Sequence, residues 1–310
     1  MDHHIYISLS TFCEYDATPR QILEESGIPY SLNTTGVRAT PDQVLREAAD
    51  ATVIVASVEP YEADLLARLP KLRCISRCGV GVDAIDLAAA EARGVAVRNT
   101  PDAPSQAVAE LAVTFLLALS RSLIEQDAHL KKREWVRLET HLLSGRTVGI
   151  VGFGRIGQRV ATLLNAFGMR VLASDPAVSA DQARTAGAEL VALEELLDRA
   201  DMVTVHASTP EGGAPILGRD ELARLKPGAF VANLARGGMV DEGALLEGLE
   251  SGHIGGAGLD VFSEEPYDGP LLDAPRVILS PHSATRAAET RIRMEIECVQ
   301  NAVDFVRSAS

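Results

Sequence analysis

Positive charge is scarce in this chain. Its 310 residues carry 29 Lys and Arg against 43 Asp and Glu, a formal net charge of −14. That balance argues against nucleic acid or an anionic membrane surface as a partner. It leaves an anionic small molecule open, because local residues decide a pocket's field. Cysteine is sparse as well. Cys13, Cys74, Cys78 and Cys298 are scattered, and Cys74 and Cys78, four apart, have no second pair. Buried, reduced thiols are expected, and with them a cytoplasmic location. The histidines (His3, His4, His129, His141, His206, His253 and His282) show no His-x-x-x-His or similar ligand spacing. No metal is expected, and a zinc hydrolase is disfavoured. Long apolar runs are missing too. The most apolar stretch, Ala107 to Leu119, is too short for a membrane span, carries Glu110 and reads as a buried helix. Met1-Asp-His-His has neither the basic start nor the apolar segment of a secretory leader, so none is expected. No internal repeat and no low-complexity tract is visible.

What is present is ordinary globular material, 46% hydrophobic and 23% charged, in a length that suggests two domains. The first hundred residues alternate strand and helix. Strands are expected at Ile5–Leu9, Ile28–Leu32, Thr52–Ala56, Leu72–Ser76 and Val95–Arg98, with helices at Pro19–Glu25, Pro41–Ala49, Ala63–Leu69 and Ile85–Ala92. Thr40-Pro41-Asp42-Gln43 reads as an N-cap, a first-turn Pro and a capping-box Gln. Gly27 and Gly94 follow helix ends, where a left-handed residue is easiest to place. From Gly145 the alternation restarts. Strands are expected at Met169–Ser174, Met202–His206, Ala229–Asn233, Gly258–Phe262 and Arg276–Leu279. Helices are expected at Leu193–Arg199, Arg219–Leu225, Glu242–Glu250 and Thr285–Val306. Strands spaced by helices imply parallel, doubly wound α/β sheets.

The most informative segment is Val148–Asp175. Thr147 to Val151 reads as a buried parallel strand, followed by Gly152-x-Gly154-x-x-Gly157 and a helical pattern from Ile156 to Phe167. Gly152 permits the tight turn, Gly154 lets backbone approach a pyrophosphate, and Gly157 lets helix and strand pack closely. Free N–H groups and the dipole at the helix start face the phosphates. Asp175, 18 residues after Gly157 at the end of a second apolar run, stands where a carboxylate meets a ribose 2′-OH. A carboxylate repels a 2′-phosphate, and Pro176 rather than Arg follows it. NAD is therefore expected over NADP.

Three further segments place polar residues at strand ends. Asn233-Leu-Ala-Arg236 offers a guanidinium that either forks onto a carboxylate or is simply solvated. Gly258-Leu-Asp260-Val-Phe-Ser-Glu264-Glu265-Pro266 carries an Asp that needs a partner if buried, and a Glu held extended by the following Pro. Ser280-Pro281-His282 carries a His that could shuttle a proton, although a lone His after a strand is more often structural. Taken together, an Arg, a Glu and a His at strand ends of a nucleotide-binding sheet match a hydride-transfer site. The Arg anchors a carboxylate, the His moves the hydroxyl proton, and the Glu orients the His.

With those residues in view, the chain resembles the D-isomer-specific 2-hydroxyacid dehydrogenase family over nearly its whole length, least before residue 50. The resemblance is carried by Gly79–Asp86, Asn99–Glu110, Val148–Gly157, Leu225–Glu242, Leu259–Pro266 and Ser280–His282. It implies a Rossmann nucleotide domain, residues 100–283, inserted in a smaller flavodoxin-like substrate domain of residues 1–99 plus 284–310. It implies Arg236, Glu265 and His282 as the catalytic residues and Arg236, Val80 and Gly81 as the substrate-carboxylate site. Cofactor contacts would come from Gly152, Gly154, Arg155, Ile156, Gly157, Asp175, His206, Ala207, Leu234, Ala235 and Asp260, the last toward the nicotinamide carboxamide. It also implies a homodimer, with the region around Trp135 reaching the partner or packing at the interface. The implied substrate is a small anionic 2-hydroxy or 2-oxo acid, phosphoglycerate or hydroxypyruvate/glyoxylate first.

Some residues depart from the family pattern. After His206 the chain reads Ala-Ser-Thr-Pro-Glu-Gly-Gly-Ala where the family carries Pro and a Leu-Thr pair. Ala56 stands where phosphoglycerate-type members carry a substrate-touching Arg, for which Arg38 or Arg77 could substitute. The residues end at Ser310, so no C-terminal regulatory domain and no serine feedback are expected. The competing reading is an NAD(H)-sensing, corepressor-like protein that binds the dinucleotide without significant turnover.

Overall fold

The computed structural model describes residues 3–210 and 212–309. The chain folds into two compact units. One comprises the residues up to Pro104 and from Arg286 onward; the other runs from Ser105 to Thr285.

The first unit is built on five parallel strands, β1 (Ile5–Ile7), β2 (Tyr30–Leu32), β3 (Val53–Ala56), β4 (Cys74–Arg77) and β5 (Ala96–Arg98), in the order β2-β1-β3-β4-β5. This is the flavodoxin-like order, in which ligands sit outside the carboxyl ends of the strands. Its first four helices are α1 (Thr18–Ser26), α2 (Pro41–Glu47), α3 (Ala63–Ala67) and α4 (Leu87–Ala92). Every residue of β1 and β3 is buried, as expected of central strands covered on both faces. Thr40 caps α2 by accepting from the Gln43 N–H at 3.3 Å. The reciprocal half of the expected capping box is replaced: the Gln43 amide donates to Asn33 Oδ1 at 3.0 Å and to Glu47. Asn33 is a buried acceptor needing a donor, and that demand outweighs the cap. Asp86 accepts from the Ala89 N–H at 2.8 Å, so α4 begins at Leu87 rather than Ile85.

The second unit contains α5 (Ser105–Ser120), α6 (Leu123–Lys131), β6 (Thr147–Val151), α7 (Arg155–Ala166), β7 (Arg170–Ser174), α8 (Ala180–Thr185), β8 (Glu189–Leu190) and α9 (Leu193–Arg199). It continues with β9 (Met202–Val205), α10 (Arg219–Arg224), β10 (Ala229–Asn233), α11 (Glu242–Ser251), β11 (Ile254–Leu259), a 3₁₀ turn at Pro270–Leu272 and β12 (Val277–Leu279). The seven strands are parallel in the order β12-β11-β10-β9-β6-β7-β8. Counted from β6, this is the 3-2-1-4-5-6 order of a Rossmann sheet with one further strand.

The expected strand Gly258–Phe262 is shifted. β11 occupies Ile254–Leu259, and Asp260 to Phe262 lie beyond its end. Its glycines exist for close packing: a Cβ on Gly258 would come 2.7 Å from Phe115 of α5, and one on Gly256 within 3.0 Å of Leu119. α5 itself is the expected core helix, with Ala109, Ala112, Phe115 and Leu116 buried. Among the described residues, no single helix is long and apolar enough to cross a membrane. The last helix, α12 (Ala288–Ala309), belongs to the first unit, where Met294, Cys298, Val299 and Ala302 pack with Ile5, Ile7, Val53 and Val55.

Candidate active site

The second unit gathers its polar residues at the carboxyl ends of β7, β6 and β9 on one side and of β10, β11 and β12 on the other. The first group starts with the turn after β6. Gly152 adopts φ +87, and a Cβ there would fall 2.4 Å from the backbone N of Ala207. A Cβ on Gly157 would meet the carbonyl of Gly152 at 2.3 Å, whereas Gly154 faces open space. Gly154 is also the N-cap of α7, so the N–H groups of Arg155 and Ile156 open that helix. The Ile156 side chain packs onto the core, leaving only its backbone for a ligand. Asp175 follows β7; its carboxylate accepts from the Phe153 N–H at 2.7 Å and the Ala177 N–H at 2.8 Å. It therefore also braces the glycine turn, a contact that sequence spacing does not reveal.

His206 follows β9, with Nε2 2.9 Å from Thr204 Oγ1 and a buried Nδ1 that has no partner. Burial pushes its pKa down to about 3, so the ring is neutral. A cradle that closes on backbone at two glycines and opens at the third fits a dinucleotide, and the orphaned Nδ1 beside Ala207 supplies a polar atom for it. Leu234 and Ala235 are buried side chains that offer backbone only. The turn after His206 includes Gly212 and Gly213, both with positive φ, and residue 211 lies outside the described residues.

The second group is a set of three turns. Asn233 organises the first: its side chain accepts from the Ala235 N–H at 3.1 Å and donates to the Arg236 carbonyl at 2.9 Å. Arg236 is half-buried, and one of its guanidinium nitrogens donates to the Ala235 carbonyl at 2.7 Å. Gly237 presses this turn onto the next, since a Cβ there would sit 1.8 Å from the Phe262 carbonyl. Beyond β11, Glu265 accepts from the Phe262 N–H at 3.1 Å through Oε1 and meets His282 Nδ1 at 2.8 Å through Oε2. The pair is open to solvent, His282 being 49% and Glu265 38% exposed. With Nδ1 engaged by Glu265, Nε2 is the other ring nitrogen, the one a substrate could meet. His282 has a left-handed φ of +48, uncommon for a non-glycine residue.

Asp260 is fully buried, and its partners explain the turn that carries His282. Its carboxylate accepts from Ser280 Oγ, from the Ser283 N–H at 2.8 Å and from the Ala284 N–H at 2.9 Å. The acceptor demand anticipated for a buried Asp is thus met by the loop after β12.

In the first unit, Val80 and Gly81 lie just past β4. The Val80 carbonyl accepts from Asn99 Nδ2 at 2.8 Å, and the Gly79 carbonyl from the Thr100 N–H at 3.0 Å. The Arg77 guanidinium folds over Gly79 and donates to the Cys78 carbonyl. Arg38 donates to the Val58 carbonyl, in the loop after β3, while Ala56 is fully buried. In the second unit, a cavity of 390 Å³ lined by Ser120, His141, Phe230 and Arg276 opens near the amino ends of β10, β11 and β12, at the opposite end of those strands from the three turns.

The model of the D-isomer specific 2-hydroxyacid dehydrogenase NAD-binding domain matches residues 113–284, more than half of the chain. The chain belongs to the D-isomer specific 2-hydroxyacid dehydrogenase family. The dinucleotide cradle is accordingly that family's NAD-binding domain. The glyoxylate reductase of Korarchaeum cryptofilum is 37% identical over 273 residues, 85% of this chain and 82% of that protein. The D-3-phosphoglycerate dehydrogenase of Mycobacterium leprae is 44% identical over 248 residues, 79% of this chain but 47% of that protein. The chain spans about half the length of the curated phosphoglycerate dehydrogenases it matches. The structure of the D-lactate dehydrogenase of Aquifex aeolicus, solved with NAD and lactic acid, superposes with a TM-score of 0.87 at 26% identity, covering 99% of this chain and 96% of that one.

Proposed function

We propose that this chain is an NAD-dependent D-2-hydroxyacid dehydrogenase, moving a hydride between the nicotinamide and C2 of a 2-hydroxy acid or its 2-oxo counterpart. The observation that carries it is the His282–Glu265 pair at 2.8 Å, on the same sheet edge as Arg236 and the dinucleotide cradle. NAD, when bound, supplies the ring carbon that accepts or returns the hydride. Gly152, Gly154, Gly157 and the N–H groups of Arg155 and Ile156 would hold its pyrophosphate, and Asp175 its ribose. The backbone of His206, Ala207, Leu234 and Ala235 lines it.

Arg236 forks onto the acid's carboxylate and polarises the carbonyl. In oxidation His282 Nε2 takes the hydroxyl proton; in reduction it returns that proton to the carbonyl oxygen. Glu265 holds Nδ1 so that Nε2 faces the substrate. Asp260, implied by the resemblance for the nicotinamide carboxamide, is buried with its carboxylate engaged by Ser283 and Ala284, so it would act there through the turn that it braces. In the first unit, the N–H groups of Val80 and Gly81 would serve as donors to a carboxylate. The leading acids are phosphoglycerate and hydroxypyruvate or glyoxylate, in keeping with the relatives' names. The protein is further read as a cytoplasmic homodimer. The apolar side chains left exposed on and after α6 (Leu123, Ile124, Leu130, Trp135 and Leu142) support the second copy.

The test is NADH consumption, followed by nicotinamide absorbance, against glyoxylate, hydroxypyruvate, pyruvate, 2-oxobutyrate, 2-oxoglutarate and 3-phosphohydroxypyruvate. Turnover of one or more of these acids is expected. Tight NADH binding with silence across the panel would overturn the enzyme reading in favour of a dinucleotide sensor.

A further inference from the structure

The C-terminal helix and β4 of the first unit bring two cysteines together. Side chains alternate along a strand, so Cys74, Ser76 and Cys78 share one face of the sheet. α12 covers that face, because Ser76 Oγ donates to the Cys298 carbonyl at 2.7 Å. Cys78 keeps the strand's pairing one residue past its end, its N–H donating to the Ala56 carbonyl at 2.9 Å. Cys78 is 3% exposed and Cys298 is fully buried, both in the cluster that contains Met294 and Val299. The two thiols lie near enough to perturb each other, and the Cys298 thiol reaches the Glu295 carbonyl at 3.3 Å.

Buried cysteines are usually inert apolar side chains. Cys74, on the same face, is one, its thiol pushed up to about 12 by burial. Cys78 differs. The neighbouring Cys298 thiol and the guanidiniums of Arg291 and Arg77 draw its thiol below the usual value despite burial. Burial pushes the Cys298 thiol the other way. Cys78, slightly exposed at the strand end, is the sulfur that an oxidant meets first, and the fully buried Cys298 is the resolving thiol.

We propose that Cys78 and Cys298 are an oxidation site at which a peroxide closes a disulfide between β4 and α12, weakening substrate binding at the adjacent Gly79–Gly81 turn. The consequence for binding rests on Val80 and Gly81 being carboxylate donors. The Cys78 thiolate attacks one peroxide oxygen, the O–O bond breaks, and the departing hydroxide takes a proton to leave as water. The Cys298 sulfur then attacks the Cys78 sulfenic acid. The S–S bond forms, the S–O bond breaks, and the Cys298 proton leaves with the hydroxide as a second water. Two thiols are oxidised and one peroxide is reduced to two waters. A thiol reductant reverses the bond. Cys78 precedes the turn directly, so closing the bond moves the backbone that presents the Val80 and Gly81 N–H groups.

The experiment treats the full, reduced protein with hydrogen peroxide, blocks the remaining thiols with an alkylating reagent and maps the peptides by mass. Rate measurements with NADH and the best 2-oxo acid are made before oxidation, after it, and after dithiothreitol. The expected map links the Cys78 and Cys298 peptides with the loss of two hydrogens. The KM for the acid rises several-fold, the KM for NADH stays put, and dithiothreitol restores the starting value. Cys298→Ala keeps its rate through the same treatment. Separate alkylation of both cysteines after peroxide would overturn the proposal, as would a linked pair with unchanged KM, or a Cys298→Ala protein as sensitive as the wild type. Should Cys298→Ala not fold, the wild-type map and its KM decide. Absence of turnover in the reduced protein would instead count against the dehydrogenase reading, and the mass map would still report whether the thiols close.

Discussion

His282 donates its backbone N–H to the carbonyl of Asp260 at 2.8 Å, so the residue just past β11 positions the histidine just past β12. The Asp260 carboxylate reinforces this by gathering Ser280, Ser283 and Ala284. Asp260→Asn would turn one acceptor into a donor facing another donor, inside a buried site. The expected cost is about 1–3 kcal/mol of stability, seen as a lower Tm, with a fall in kcat as the His282 turn loosens. An unchanged kcat would separate Asp260 from the placement of His282.

His282→Ala should lower kcat by roughly 10²–10⁴-fold, the usual worth of general acid–base help. NADH binding, titrated by fluorescence, should be unaffected. Glu265→Gln should act in the same direction more weakly, because it removes only the hold on Nδ1. Full activity of His282→Ala would take the imidazole out of the reaction.

Asp175→Ala should weaken NAD and relax discrimination against NADP, through loss of both the ribose acceptor and the charge that repels a 2′-phosphate. The same change removes the brace on the Phe153 N–H. Asp175→Asn, which keeps an acceptor for that N–H but no charge, should therefore regain part of the NAD affinity while still relaxing discrimination against NADP. Comparing the kcat/KM ratio for the two cofactors across both variants separates the two effects; an unmoved ratio would mean the ribose is read elsewhere.

Gly237→Ala tests the pressing of one turn onto another. Its Cβ would overlap the Phe262 carbonyl, and overpacking of that kind costs about 1–3 kcal/mol. Because the displaced turn begins with Arg236, the KM for the acid should rise along with the fall in Tm. A fall in Tm alone would detach Arg236 from substrate binding.

The pH dependence of stability should carry the mark of His206. Its folded pKa of about 3 lies below the unfolded value of 6.5. The unfolded chain therefore binds more protons at acid pH, and stability rises with pH through this window. His206 contributes no penalty above about 6.5, and an increasing one as pH falls toward about 3. Tm measured from neutral pH downward should drop less steeply in His206→Gln than in the wild type. Parallel curves would show that the ring is solvated.

How far the sequence revealed this arrangement depended on where the physical signal was stored. The turn at Gly152–Gly157 was legible because glycine spacing, an apolar strand and an amphipathic helix are all local. So were the ends of β10 and β12, where an apolar run gives way to polar residues. β11 was misplaced because glycine carries little strand preference of its own. Its extended form is imposed by pairing with β10 and β12 and by the side chains of α5 lying over it. α6 went unnoticed because its apolar residues Leu123, Ile124 and Leu130 are exposed and write no burial period. The capping role anticipated for Gln43 failed for a related reason: Asn33, ten residues away, competes for the same amide. The Asp260 clamp spans more than twenty residues of sequence and becomes visible only once β11 and β12 are paired.

The fit of Phe115 against Gly258 makes α5 a structural lever. With no side chain on the strand to act as a cushion, a change in ring size or tilt at Phe115 is passed to the backbone of β11. Asp260 follows Gly258 by two residues, just past the end of that strand. Substitutions at Phe115 would retune the turnover number by shifting the His282 turn as a block. Variation in catalytic rate among related chains could therefore be written on the packing face of α5 as well as on the turns themselves.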